Sequence, residues 1–330
     1  MDIGFELSNL CNLHCTHCIR GSHQETIENL DFELFRRILD QAAGMFDPLA
    51  VVFTGGEPLA SALFAPAVEE LGARGIAYRF VTNGWLIPRH LPLLLRHRPR
   101  FVRVSLSGAT QETHDRQRGS GSFRRALLAA AVLLARGIRA ELSMVVTRES
   151  RDELVDAIEL ANTFGVAELH FILPQPTVES AIDGSDLSPS EWNLVARDID
   201  ALARRSAVPT VLDYGFASAM PRESCNTMAQ RQMYVDSRGR VPFCCQLSRY
   251  GTGAEPIIGD LTTESLADVH ARAALGYADF TEETSRLHRI GPRDEADDYP
   301  CLSCARRNGR TGFLADFPEH PWSMLGAIPA

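Results

Sequence analysis

The segment Ser8–Cys18 reads SNLCNLHCTHC and sets Cys11, Cys15 and Cys18 at C-x3-C-x2-C spacing. Three thiolates on one short loop suit a [4Fe–4S] cube: they hold three irons and leave the fourth open to another ligand. Zinc is the rival reading, because His14 and His17 sit in the same loop. Structural zinc sites usually pair two C-x2-C knuckles into four ligands, however, and the triplet has no fourth cysteine nearby. The apolar run Ile3–Leu7 precedes the loop and reads as a strand, so the cysteines fall at a strand's end.

Further strand-like runs follow at Ala50–Thr54, Ala77–Thr82, Phe101–Leu106, Arg139–Val146 and Glu168–Leu173. Helix-period stretches separate them: Phe32–Ala43, Leu63–Arg74, Leu86–Arg96, Ser122–Arg136 and Asp152–Phe164. Gly75, Gly137 and Gly165 stand where helices close. Strands alternating with helices predict an α/β fold with a parallel sheet. Pattern alone does not separate an open sheet from a barrel. In either, ligands gather at the C-terminal ends of the strands.

The second strand ends in FTGGEP, Phe53–Pro58. Gly55 and Gly56 allow close backbone approach, Glu57 can accept from an ammonium, and Pro58 fixes the turn. With the cysteine triplet, this segment resembles the radical S-adenosylmethionine (SAM) superfamily over roughly the first 200 residues. The resemblance implies a partial (β/α)6 TIM-like barrel, a [4Fe–4S] cluster on Cys11, Cys15 and Cys18, and SAM whose amino group meets the GGEP turn. It also implies a reductively formed 5′-deoxyadenosyl radical, with an external donor such as flavodoxin or ferredoxin. VTNGW (Val81–Trp85) adds Asn83 at the third strand end. Val102–Gly119 resembles the fourth-strand segment of the branch with extra clusters, which places Ser105 and Arg118 at the SAM carboxylate or ribose. An arginine fork suits a carboxylate; the plainer reading of Arg118 is a surface residue beside Arg116, Arg124 and Arg125. His17 departs from the family, which usually has a larger aromatic there.

The other five cysteines are Cys225, Cys244, Cys245, Cys301 and Cys304. Beyond Leu173 the chain reads as a loop, then a helix Glu191–Arg205 and a short strand Thr210–Tyr214, then irregular structure. YVDSRGRVPFCC (Tyr234–Cys245) reads as a hairpin turning at Gly239. This region resembles the SPASM and twitch extensions, which carry auxiliary clusters. No cysteine follows Cys304, which points to the shorter twitch type with one auxiliary [4Fe–4S] cluster on Cys225, Cys244, Cys301 and Cys304. Structural zinc on the same four residues is the alternative. The expected division is 1–205 for the barrel and 206–330 for a small irregular twitch-type Fe–S domain. Cys245 is left over, either inert, exchanging roles with Cys244, or acting as a thiol that gives a hydrogen atom to a substrate radical.

The chain has 330 residues, a net charge of −9 and 8 cysteines. No basic stripe suits nucleic acid. No apolar run reaches the ~18 residues of a membrane span. No room for a signal peptide precedes the first strand, which predicts a cytoplasmic protein and thiols serving as ligands, not disulfides. There is no lysine, which excludes lysine Schiff-base chemistry.

Three reactions are then expected. A spare thiol favours epimerisation of an amino-sugar carbon, as in the aminoglycoside epimerases this branch includes. Oxidation of a secondary alcohol, with the auxiliary cluster accepting an electron, resembles aminocyclitol dehydrogenases. Radical modification of a ribosomal peptide is the third. A small cationic substrate would suit Glu282, Glu283, Asp294, Glu295, Asp297 and Asp298, which read equally as a solvated face. Ser143, Glu168, His170 and Gln175 are candidates to line the cavity, with core or surface roles as the alternative.

Overall fold

The structure is a computed structural model. It describes residues 1–21, 26–213, 225–291, 294, 297 and 299–326, and of residues 283, 284, 287 and 288 the backbone alone. Glu295 and Asp298 of the acidic group lie outside the described residues, as does the side chain of Glu283.

Six strands appear where the apolar runs predict them: β1 (Asp2–Glu6), β2 (Ala50–Thr54), β3 (Ala77–Thr82), β4 (Val102–Leu106), β5 (Ala140–Val145) and β6 (Leu169–Ile172). Helices return the chain between them: α1 (Phe32–Met45), α2 (Phe64–Arg74), α3 (Ile87–Arg96), the pair α4 (Gln111–Arg118) and α5 (Ser122–Ala135), and α6 (Leu154–Phe164). Two more strands, β7 (Thr210–Leu212) and β8 (Gln232–Val235), complete one eight-stranded sheet ordered β7-β6-β5-β4-β3-β2-β1-β8. Every pairing in it is parallel. This is the mostly parallel α/β sheet of a partial TIM-like barrel, and it draws strands from both sides of residue 206.

Helix α1 shows how the layers form. Leu34, Phe35, Ile38, Leu39 and Ala42 recur at helical spacing and are buried, and Asp31 caps the start by accepting from the Leu34 N–H. Phe35 meets Phe5 of β1 edge-on at 4.9 Å, and Phe64 of α2 meets Phe53 of β2 at 5.7 Å. Aromatic rings from strands and helices thereby close the barrel wall.

Three expectations change. The stretch after Leu173 is not a plain loop: it holds α7 (Val178–Asp183) and the start of α8 (Pro189–Ala203). Both begin with a capping box, at Thr177 and at Ser188-Pro189-x-Glu191, a signal that Pro and Ser content obscures. The hairpin at Gly239 is a turn between two sheets. β8 lies parallel to β1, whereas β9 (Arg240–Pro242) pairs antiparallel with β10 (Ile257–Asp260). The C-terminal part is also more helical than expected, with α9 (Leu266–Ile290) and α10 (Pro300–Arg307). Among the described residues, no helix is long and apolar enough to cross a membrane.

Candidate active site

Each strand end delivers one piece of a single cavity. Cys11, Cys15 and Cys18 follow β1 and form part of its wall. Gly55, Gly56 and Glu57 follow β2, and Asn83 follows β3; they line the same cavity. Ser105 on β4 and Arg118 at the end of α4 complete it. Pro58 is buried and opens a short helical turn behind the wall. The sequence-derived residues of this first group are thus brought together.

Gly56 and Glu57 also have roles inside the fold. Gly56 is small because of a loop: an added Cβ would lie 2.2 Å from the Leu10 carbonyl oxygen. That contact lets the Gly56 N–H donate to Ser8 and the Glu57 N–H to Leu10, pinning the turn to the cysteine loop. Glu57 is buried and its carboxylate already accepts from the Leu59 N–H at 3.1 Å, the Asn83 N–H at 2.8 Å and the Thr82 hydroxyl at 2.8 Å. Burial pushes its carboxyl up to about 7 against those bonds. The Glu57 carboxylate therefore ties the ends of β2 and β3 together, and about one of its four acceptor positions stays open.

Arg118 is not a surface arginine. It is buried, and its Nε donates to Ser107 Oγ at 2.5 Å. Arg116 turns outward to Glu112 instead. His17 is buried within 3.3 Å of the same Ser107 hydroxyl. Burial, with Arg118 and His114 beside it, holds its imidazole down at about 3, so it is neutral.

A second cavity is walled by Cys225, Cys244, Cys301 and Cys304. Cys244 follows β9, and Cys301 and Cys304 sit one turn apart on α10. Cys244 and Cys304 pack on a small apolar group of Leu247, Tyr250 and Ala305. The Asn308 amide donates to the Cys304 carbonyl at 2.9 Å and lies 3.9 Å from its sulfur. Cys245 is on the wall of neither cavity. Its carbonyl accepts from Arg20 at 3.3 Å.

All eight cysteines are free thiols. Burial pushes Cys11 up to about 11 and raises Cys15, Cys244 and Cys301 as well. Such thiols become thiolates only against a cationic centre. Among the described residues, Glu141, Glu168 and His170 form a group of three metal-type donors within 4.8 Å of one another, and the cysteine sulfurs form no group that tight. Tetrahedral zinc with ~2.3 Å bonds draws its sulfurs to roughly 4 Å apart.

Of the other candidates, Gln175 lines both cavities. Ser143, Glu168 and His170 lie off both walls; His170 sits deeper, 2.7 Å from Arg103 and 2.7 Å from Asp213. Arg20 was missed: it reaches the Gly55 carbonyl, the Tyr234 hydroxyl and buried Glu6. Nothing local marks it among 33 arginines.

A barrel with these motifs at its strand ends defines a class. Residues 5–161 match the Radical SAM superfamily model, and the chain carries a domain of that superfamily, whose members use a [4Fe–4S] cluster and SAM. Among curated relatives, Mycofactocin maturase MftC of Mycobacterium ulcerans is 34% identical over 194 residues, covering 58% of this chain and 52% of the relative. AdoMet-dependent heme synthase of Methanosarcina barkeri is 28% identical, covering 58% and 56%. PqqA peptide cyclase of Ruegeria pomeroyi is 31% identical, covering 50% and 44%. The chain spans about half the length of these relatives. The solved structure of anSMEcpe with bound AdoMet shares the fold at a TM-score of 0.68 and 16% identity, covering 98% of each chain.

Proposed function

We propose that this radical SAM enzyme modifies a peptide, using one [4Fe–4S] cluster on Cys11, Cys15 and Cys18 and an auxiliary one on Cys225, Cys244, Cys301 and Cys304. The observation carrying the peptide assignment is the match of half the chain to a peptide cyclase and a maturase. It supports this substrate better than an amino sugar or an aminocyclitol alcohol. The two-centre assignment rests on two thiol-walled cavities that share Gln175 and Gln246.

Held by Cys11, Cys15 and Cys18, the first cluster with SAM would supply the chemistry for taking a hydrogen atom from an unactivated C–H bond. The chain's own residues bind and orient. Arg118, fixed at Nε by Ser107, offers its guanidinium to the SAM carboxylate. Glu57 keeps its remaining acceptor position for the SAM ammonium while holding the Asn83 turn in place. Burial of this wall excludes water that would quench a radical. The residues from 206 to 330 supply the auxiliary site, and Cys245, which lines neither cavity, is assigned no part in hydrogen transfer.

The test is anaerobic reconstitution with reductant, SAM and the peptides encoded beside this gene, read by mass spectrometry. A cyclised or crosslinked peptide is two hydrogens lighter and appears with 5′-deoxyadenosine. Unchanged peptides, with conversion of an amino sugar or a porphyrin instead, would sink the proposal.

A further inference from the structure

Gln175 is 1% exposed, and neither its amide nitrogen nor its amide oxygen has a hydrogen-bond partner. An unpaired buried amide is costly, and native folds rarely leave both of its ends empty. Gln175 lies on the wall of both thiol cavities, at their junction, with Gln246 as the other shared residue. It follows β6, the strand that brings Ile172 to the first cavity.

The backbone around it is rigid. Pro174 and Pro176 flank Gln175; Pro176 restricts the torsions of Gln175 and Pro174 those of Leu173. The Pro176 carbonyl accepts from the buried Tyr250 hydroxyl at 2.9 Å. The next residue, Thr177, caps α7, its N–H bonded to Ser180 Oγ at 2.8 Å. A buried side chain carried on a backbone held this firmly is pre-positioned for a partner that is not part of the fold.

We propose that Gln175 binds the substrate by pairing with one backbone amide of the peptide, its NH2 donating to a carbonyl and its oxygen accepting from an N–H. A primary amide offers one donor face and one acceptor face side by side, the complement of a peptide unit. Gln175 lies beside both cavities, so the paired peptide unit would sit next to the SAM and auxiliary-cluster sites without filling either. This inference rests on the peptide assignment above.

The test uses full-length reconstituted protein and the peptide that the wild type modifies. Gln175→Leu and Gln175→Glu are compared with wild type at matched iron content and cluster absorbance, which establishes folding. Leucine should raise KM for the peptide about tenfold or more with kcat within about twofold, the pattern of lost uniform binding. Glutamate keeps the acceptor and loses the donor, so its KM should fall between the two. N-methylation of one backbone amide in the peptide should raise KM for wild type and have little further effect on Gln175→Leu. An unchanged KM in both variants, with wild type still active, overturns the inference and leaves the peptide assignment standing. A tenfold loss in SAM affinity by equilibrium dialysis, or a shifted auxiliary-cluster potential with KM unchanged, also overturns it in favour of a cofactor contact. A wild type that modifies no peptide removes both proposals. Variants that cannot be brought to matched iron content assign Gln175 to folding and overturn the inference too.

Discussion

The two thiol-walled cavities are built in opposite ways. Cys11, Cys15 and Cys18 come from one loop, and the rest of that cavity is a set of neighbouring strand ends. Cys225, Cys244, Cys301 and Cys304 come from three distant segments, joined only when β9 and α10 are in place. A short loop pays little entropy to gather its ligands, whereas distant segments must first be docked. The docking is visible in charge. Buried Glu6 of β1 meets Arg249 at 2.9 Å and accepts from the Ser237 hydroxyl at 2.9 Å, and Arg249 and Arg238 both pair with Glu28. Burial works to raise the Glu6 carboxyl, but Arg20 and Arg249 prevail and hold it below the ordinary range.

The contrast can be broken from either side. Replacing Cys11, Cys15 and Cys18 together by alanine should abolish SAM cleavage, by more than about a hundredfold, and remove about four irons per chain. Loss of all the iron would show that the second site depends on the first. Cys301→Ser with Cys304→Ser should also remove about four irons, yet keep 5′-deoxyadenosine formation while peptide modification falls about tenfold or more. Iron analysis beside product chromatography separates these outcomes.

Arg249→Met probes the docking. Leaving Glu6 and Glu28 without this partner should cost about 3 kcal/mol, lowering Tm by roughly 4 °C. Because the Glu6 carboxyl is depressed, the stabilisation is present above its ordinary pKa of about 4.5 and is lost as pH falls through the lower folded value. The Tm gap between wild type and variant should therefore narrow below that pH; a gap that widens in acid contradicts the assignment. Gly56→Ala sharpens the other side. Its Cβ meets Leu10 backbone, which cannot give as a flexible side chain would, so about 1–3 kcal/mol should be lost. SAM affinity should fall with it, since the same contact positions the cysteine loop. The smallest effect is expected for Cys245→Ala: peptide turnover within about twofold of wild type. A loss of a hundredfold would restore this thiol as a hydrogen donor.

Much of the first site was legible because its chemistry is local. The triplet, GGEP, Asn83 and Ser105 each sit at or near the end of an apolar run that reads as a strand, and parallel strands deliver their ends to one face; Arg118, at the end of the polar helix α4, was legible only through the motif. What could not be read was which bonds those residues make. Glu57 looked like a ligand for an ammonium, yet most of its acceptors serve Leu59, Thr82 and Asn83. Gly56 looked like room for a ligand and proved to be room for Leu10. The short runs at β7 and β8 did not disclose their sheet, because strands of three and four residues carry too little pattern to fix a register.

Residue order by itself determined the α/β alternation, the cysteine loop and the strand-end motifs, since each depends on neighbours a few positions apart. Only the tertiary structure decided that β8 lies beside β1, that four scattered thiols share a wall, and that Gln175 is left unpaired between two cavities. Those facts depend on long-range packing and on which buried groups find partners, and both are settled when distant segments meet.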